Sequence, residues 1–121
     1  MPEQSPAKVY DLEERTFLFA KRVREFVKTL PRSIGNFEDS KQLVRASGSV
    51  GANYIEANEA LGKKDFHMHI KISRKESKES RFFLRLLDCG AKVTVEAERA
   101  ALITEASEFI LIFSAILRNS E

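Results

Sequence analysis

Two pairs of glutamates are spaced i, i+3 along the chain, Glu56 with Glu59 and Glu76 with Glu79. On a helix that spacing puts both carboxylates of a pair on one face, as general acid–base catalysis would need. Arg45, Arg74, Lys75 and Arg81 lie close by in sequence, and Asn53 stands one turn from Glu56. The same residues therefore describe a polar network that fixes helix register or subunit contacts, and that is the preferred reading. The two histidines, His67 and His69, are spaced i, i+2 and fall on different faces of a helix. Three residues before them stand Lys64 and Phe66, so neither completes the Glu-x-x-His of a bundle di-metal site. Cys89, flanked by Asp88 and Gly90 with no histidine close by, reads as a small packing residue. Gly48 and Gly51 lie inside a helical pattern rather than in a phosphate-cradling loop. No catalytic residue, metal or cofactor is assigned, and the chain is expected to be a binding or assembly protein rather than an enzyme.

The other chemistry is electrostatic. Lys71, Arg74, Lys78, Arg81 and Arg85 follow one another at steps of 3, 4, 3 and 4, with Lys75 beside them. A row of cations on one helix face can track a phosphate backbone, so these six are the candidate nucleic-acid-binding residues. The competing description is a solvated face partly neutralised by i, i+4 partners. Lys21, Arg22, Arg24, Lys28 and Arg32 add a second basic stretch nearer the start. No aromatic residue is read as interleaving with the row, so base stacking finds no support at this level.

The elements that must carry these residues are four helices. In the first, over about residues 11–30, Asp11 is the expected cap and Leu12, Phe19, Val23, Phe26 and Leu30 form the apolar stripe. Pro31 and the stretch from Ser33 to Asn36 make a loop. In the second, over about residues 38–61, Leu43, Ser47, Val50, Tyr54, Ala57 and Leu61 stay in phase across a run of small residues. Gly48 and Gly51 there mark either a weak point or a close approach of two helices; the unbroken phase favours the approach. In the third, from Lys64 or Asp65 to about Cys89, the stripe is Phe66, Ile70, Ser73, Ser77, Ser80, Leu84 and Leu87. Its serines mirror the small residues of the second helix, so these two are expected to pack tightly together. Thr94 is the expected cap of the fourth, over about residues 96–118, with Leu102, Ala106, Phe109, Phe113 and Ile116 inward. No segment alternates as a strand does. The expected fold is all-α, an antiparallel up-down-up-down four-helix bundle forming one domain over residues 1–121, with residues 1–9 a loose leader.

Composition agrees with that class. Across 121 residues, 43% are hydrophobic and 31% charged, which is globular rather than disordered. All three prolines fall within the first 31 residues, leaving the rest free to be helical. One cysteine excludes an internal disulfide and a cysteine zinc site and fits a reducing, cytoplasmic setting. Residues 1–10 lack the apolar core of a signal peptide, and the uninterrupted apolar run over residues 109–113 is too short to span a bilayer, so no membrane partner is expected. The net charge of +2 decides nothing about nucleic acid; only its distribution does.

From Gln42 to Ala57 the chain reads Gln-Leu-Val-Arg-Ala-Ser-Gly-Ser-Val-Gly-Ala-Asn-Tyr-Ile-Glu-Ala; Lys64-Asp65-Phe66 follows, then Ile72-Ser73-Arg74-Lys75-Glu76-Ser77-Lys78-Glu79-Ser80. These runs resemble the bacterial four-helix-bundle family whose founding members are encoded by intervening sequences within 23S ribosomal RNA genes. The resemblance spans about residues 17–117. After Glu56 this chain has Ala57, where the commoner motif has glycine. The resemblance implies a homopentameric ring with no known enzymatic activity, and structural or assembly positions at Arg45, Ser49, Asn53, Glu56, Phe66, Glu76 and Glu79. The expected function is a cytoplasmic homo-oligomer whose basic helix faces engage RNA or DNA. The alternative is a protein–protein adaptor that docks through the wide apolar face of the fourth helix or the bundle ends.

Overall fold

The computed structural model describes residues 11–120; the leader expected over residues 1–9 lies outside them. Four helices follow one another: α1 (Leu12–Val27), α2 (Ile34–Asn58), α3 (Lys63–Leu86) and α4 (Val93–Asn119). Each packs against its sequence neighbour and α4 closes back on α1, with α2 against α3 the most extensive contact. Long helices joined by loops of a few residues can only run antiparallel to their neighbours, so the result is an up-down-up-down bundle with no strand among the described residues.

The inward stripes are those the spacing dictates. Phe19, Val23, Leu43, Val50, Ile70, Leu84, Leu102, Phe109 and Phe113 are almost wholly excluded from solvent. Phe19 and Phe109 meet edge to face with centroids 5.3 Å apart, a geometry favoured by the ring quadrupoles. By length and composition alone α4 is apolar enough to cross a membrane. The expectation drawn from residues 109–113 counted only an uninterrupted run, not the helix as a whole. In this fold Leu102, Ala106, Phe109 and Phe113 of α4 are buried in the bundle core.

Caps set the ends, and here local chemistry departs from periodicity. Asp11 caps α1 as expected, its carboxylate accepting from Glu14 N at 3.1 Å. Ser33, expected in a loop, is the N-cap of α2: its backbone is extended and its hydroxyl accepts from Asn36 N at 3.0 Å. The helix therefore starts four residues before the expected Glu38, with Gly35 inside its first turn. It also stops before Leu61, which is fully exposed. Thr94, the expected cap of α4, lies inside the helix, and Lys92 holds the cap position without a side-chain bond. Arg99 of α4 reaches the end of α3, donating to Leu84 O at 3.2 Å and to Leu87 O.

Asn36 ties the α1–α2 and α3–α4 loops together at one end of the bundle. Its amide donates to the Pro31 and Asp88 carbonyls, both at 2.9 Å, while its Oδ1 accepts from Asp88 N at 2.9 Å. Next to it the chain turns through two residues of positive φ, Gly90 at 68° and Ala91 at 61°. The tight turn at Gly90 also brings it against Pro31, whose Cγ would stand 3.1 Å from an added Cβ.

Candidate nucleic-acid interface

The placement of the basic residues follows from how α3 is gripped on two sides. The serine stripe is fully buried: Ser73, Ser77 and Ser80 have no solvent exposure, and neither do Ala46, Ser47 and Val50 of α2. Side chains this small let the backbones come close enough for the Ser73 hydroxyl to donate to Val50 O across the seam at 2.9 Å. Ser77 donates back to Ser73 O in its own helix at 2.8 Å, which satisfies a hydroxyl that would be costly to bury bare. Ser80 Oγ and Glu76 Oε1 are buried with no hydrogen-bond partner among the described residues.

The glycines serve a different contact from the one their position in the chain implies. They do not line the α2–α3 seam but face α1. A Cβ on Gly51 would stand 2.7 Å from Thr16 Oγ1, and one on Gly48 would stand 3.3 Å from an Arg24 guanidinium nitrogen. The close approach inferred from sequence exists, but with the first helix.

With two sides of α3 buried, its solvent face carries Lys71, Lys75, Lys78 and Arg85, all exposed. Among the described residues Lys71, Lys78 and Arg85 make no ion pair, and Lys75 has only a loose one, 3.8 Å from Glu76. Arg74 and Arg81 flank this face on the α4 side. They are half-buried and reach hydroxyls of α4, Arg74 to Ser114 Oγ at 3.3 Å and Arg81 to Ser107 Oγ at 3.2 Å. The row of six is thus four outward cations with two anchored arginines along one edge. The basic stretch of α1 is different. Arg22 is paired bidentately with Glu98 of α4 at 3.1 Å, and Lys28 lies 3.1 Å from Glu25. Arg24 donates to its own helix, to Ala20 O at 3.0 Å.

One exposed residue among these cations is not visible in a list of charges. Phe82, 53% exposed, lies on the solvent face of α3 between Lys78 and Arg85. The signal was present, since 71, 75, 78, 82 and 85 step by 4, 3, 4 and 3. An outward phenylalanine belongs neither to an apolar inward stripe nor to a basic outward one.

Of the four glutamates, Glu76 and Glu79 share one cation on α2. Arg45 of α2 lies 2.7 Å from Glu79 and 3.4 Å from Glu76 of α3, and these two carboxylates hold its guanidinium pKa above the ordinary value. Glu56 and Glu59 are exposed. Asn53 donates to Ser49 O and Oγ at 3.0 and 3.1 Å, and its Oδ1 lies 3.1 Å from His69 Nδ1, a second polar link between α2 and α3. His67 is bonded elsewhere, its Nε2 2.9 Å from Ser120 Oγ at the end of α4. Among the described residues no three of His, Cys, Asp and Glu are grouped as metal ligands would be. Phe66 packs against the core. Cys89 is buried, and desolvation pushes its thiol pKa up, the opposite of what a nucleophile needs.

Comparison with known proteins finds similarity to one family and to solved structures. The family described as 23S rRNA-intervening sequence protein matches residues 8–113. A crystal structure, at 1.70 Å resolution, of a protein of unknown function from the S23 ribosomal protein family of Bacteroides thetaiotaomicron is similar in fold and sequence. It is 28% identical, with a TM-score of 0.74, over 87% of this chain and 96% of that one. No curated protein matches.

Proposed function

The chain belongs to the 23S rRNA-intervening sequence protein family, and from that premise we propose that it is a non-enzymatic bundle that assembles into a homopentameric ring and binds nucleic acid through the solvent face of α3. The observation that carries the proposal is the set of outward cations Lys71, Lys75, Lys78 and Arg85, bordered by Arg74 and Arg81, on a helix whose other two sides are buried. Fixed cations on one rigid face bind a polyanion by releasing its counterions. A ring repeats the same face in each copy, so a modest patch gains avidity. A reducing, cytoplasmic setting belongs to the same proposal.

Light scattering tests the ring: a pentamer of 13.8 kDa chains has a mass of about 69 kDa. Fluorescence anisotropy of labelled RNA and DNA over a salt series tests the face. Affinity should fall steeply with salt, and reversing Lys71, Lys75 and Lys78 to Glu should weaken binding and flatten the salt slope by about 0.7–0.9 per lost contact. Binding indifferent to both salt and reversal would refute it.

A protein-docking role is the second reading. Ile34 and Phe37, 85% and 64% exposed, border an open groove of about 650 Å³ beside the α1–α2 loop. Retention of partner binding in the Lys-to-Glu variants would favour it.

A further inference from the structure

The basic face of α3 also carries exposed apolar side chains, and one of them is aromatic. Phe82 is 53% exposed, with Lys78 one turn before it and Arg85 one turn after. The half-buried Phe83 meets it edge-on, centroids 5.2 Å apart and planes at 81°.

We propose that Phe82 is a stacking platform for an unpaired base, and that the face therefore selects single-stranded over duplex nucleic acid; this rests on the nucleic-acid reading of α3 given above. Within a duplex both faces of a base are covered by its neighbours, and a protein ring on the outside meets base edges, sugar and phosphate but no base face. In a single strand a base face is available to an aromatic ring, and stacking of this kind tolerates any sequence. Cations on both sides of the ring are where the phosphates flanking a stacked base would lie. From Lys71 to Arg85 the helix rises about 21 Å, the length of about six nucleotides at the roughly 3.4 Å spacing of a stacked strand and of fewer in an extended one. The face thus has the extent of a short strand segment, with the ring inside it.

The test uses the full chain with a labelled 12-nucleotide RNA and the same sequence annealed to its complement. The single strand should bind more tightly. Phe82→Ala should weaken it by about 5- to 150-fold, the range measured for loss of one stacking residue, and leave the duplex affinity unchanged. Phe82→Leu, which keeps an apolar side chain but no π face, should behave like the alanine variant. The chain contains no tryptophan, so Phe82→Trp supplies a single indole; it should retain affinity, and its emission should be quenched by the single strand. Equal loss on both nucleic acids, or no loss on either, overturns the stacking proposal while leaving the basic face intact. A wild-type chain that binds neither form overturns the underlying nucleic-acid reading itself. A fall in assembly mass for Phe82→Ala shows the ring covered by a second copy of the chain and overturns the platform too.

Discussion

Gly51 of α2 lies so close to Thr16 of α1 that a Cβ built on the glycine would stand 2.7 Å from Thr16 Oγ1 and 3.1 Å from Thr16 Cβ. Thr16 is buried, and its hydroxyl is committed to Glu13 O at 3.0 Å, so it has little room to move aside. The glycine that looks like a flaw in α2 is what lets α1 dock.

Gly51→Ala should therefore destabilise the bundle although alanine is the better helix former by about 1 kcal/mol, because overpacking costs about 1–3 kcal/mol. Gly35→Ala, where nothing lies within 4 Å of the added Cβ, should be neutral or stabilise by up to about 1 kcal/mol. Urea midpoints measure both, and Thr16→Ala should rescue part of the Gly51→Ala loss in a double-mutant cycle.

Arg45 is half-exposed while Glu76 is nearly buried, so the pair matters mainly through the carboxylate. Arg45→Met leaves Glu76 with only the loose Lys75 contact and should cost about 1–2 kcal/mol, well below the cost of stripping a fully buried ion. Adding Glu76→Gln should recover part of that loss. Additive effects in thermal or urea unfolding would show that the pair is not coupled.

The buried serines of α3 should not behave alike. Ser73→Ala loses the bond to Val50 O and should cost about 1 kcal/mol. Ser80 Oγ is buried with no partner among the described residues, so Ser80→Ala should be neutral or slightly stabilising. Equal losses at both positions would mean that volume, not hydrogen bonding, governs the seam.

Asn36→Ala removes three hydrogen bonds that join two loops and should cost about 2–4 kcal/mol. Asn36→Asp keeps the acceptor for Asp88 N but loses both donors, and should recover little. Hydrogen exchange of the Asp88 amide reports the loss directly, because alanine frees it and aspartate does not.

Cys89 gives a pH-dependent outcome. Its thiol pKa is raised by burial in the folded chain, so the unfolded chain releases the proton first as pH rises. Stability is therefore unaffected below the ordinary thiol value and declines as pH climbs past it. Thiol-reagent labelling at pH 8 should be slow in the native chain, becoming fast in urea, and Cys89→Ala should abolish labelling in both.

Helical spacing in the sequence determined which side of each helix turns inward. The stripes from Phe19 to Phe26, from Leu43 to Ala57 and from Ile70 to Leu87 are buried as their steps of 3 and 4 require, with Tyr54 alone partly exposed, and Asp11 caps α1. The α2–α3 seam was legible too, because serines in phase with leucines can only be a thin inward face. The reason is that periodicity and capping are local: 3.6 residues per turn and a side chain within reach of a nearby N–H are fixed by the chain itself. Which neighbour each face meets is not local, and tertiary packing decided it. It turned Gly48 and Gly51 toward α1, sent Arg74 and Arg81 to α4 hydroxyls, gave Asn36 to a loop fifty residues away, and left Phe82 in solvent among the lysines. A stripe records the side that is covered, but the partner and the leftover surface depend on how four helices share one core.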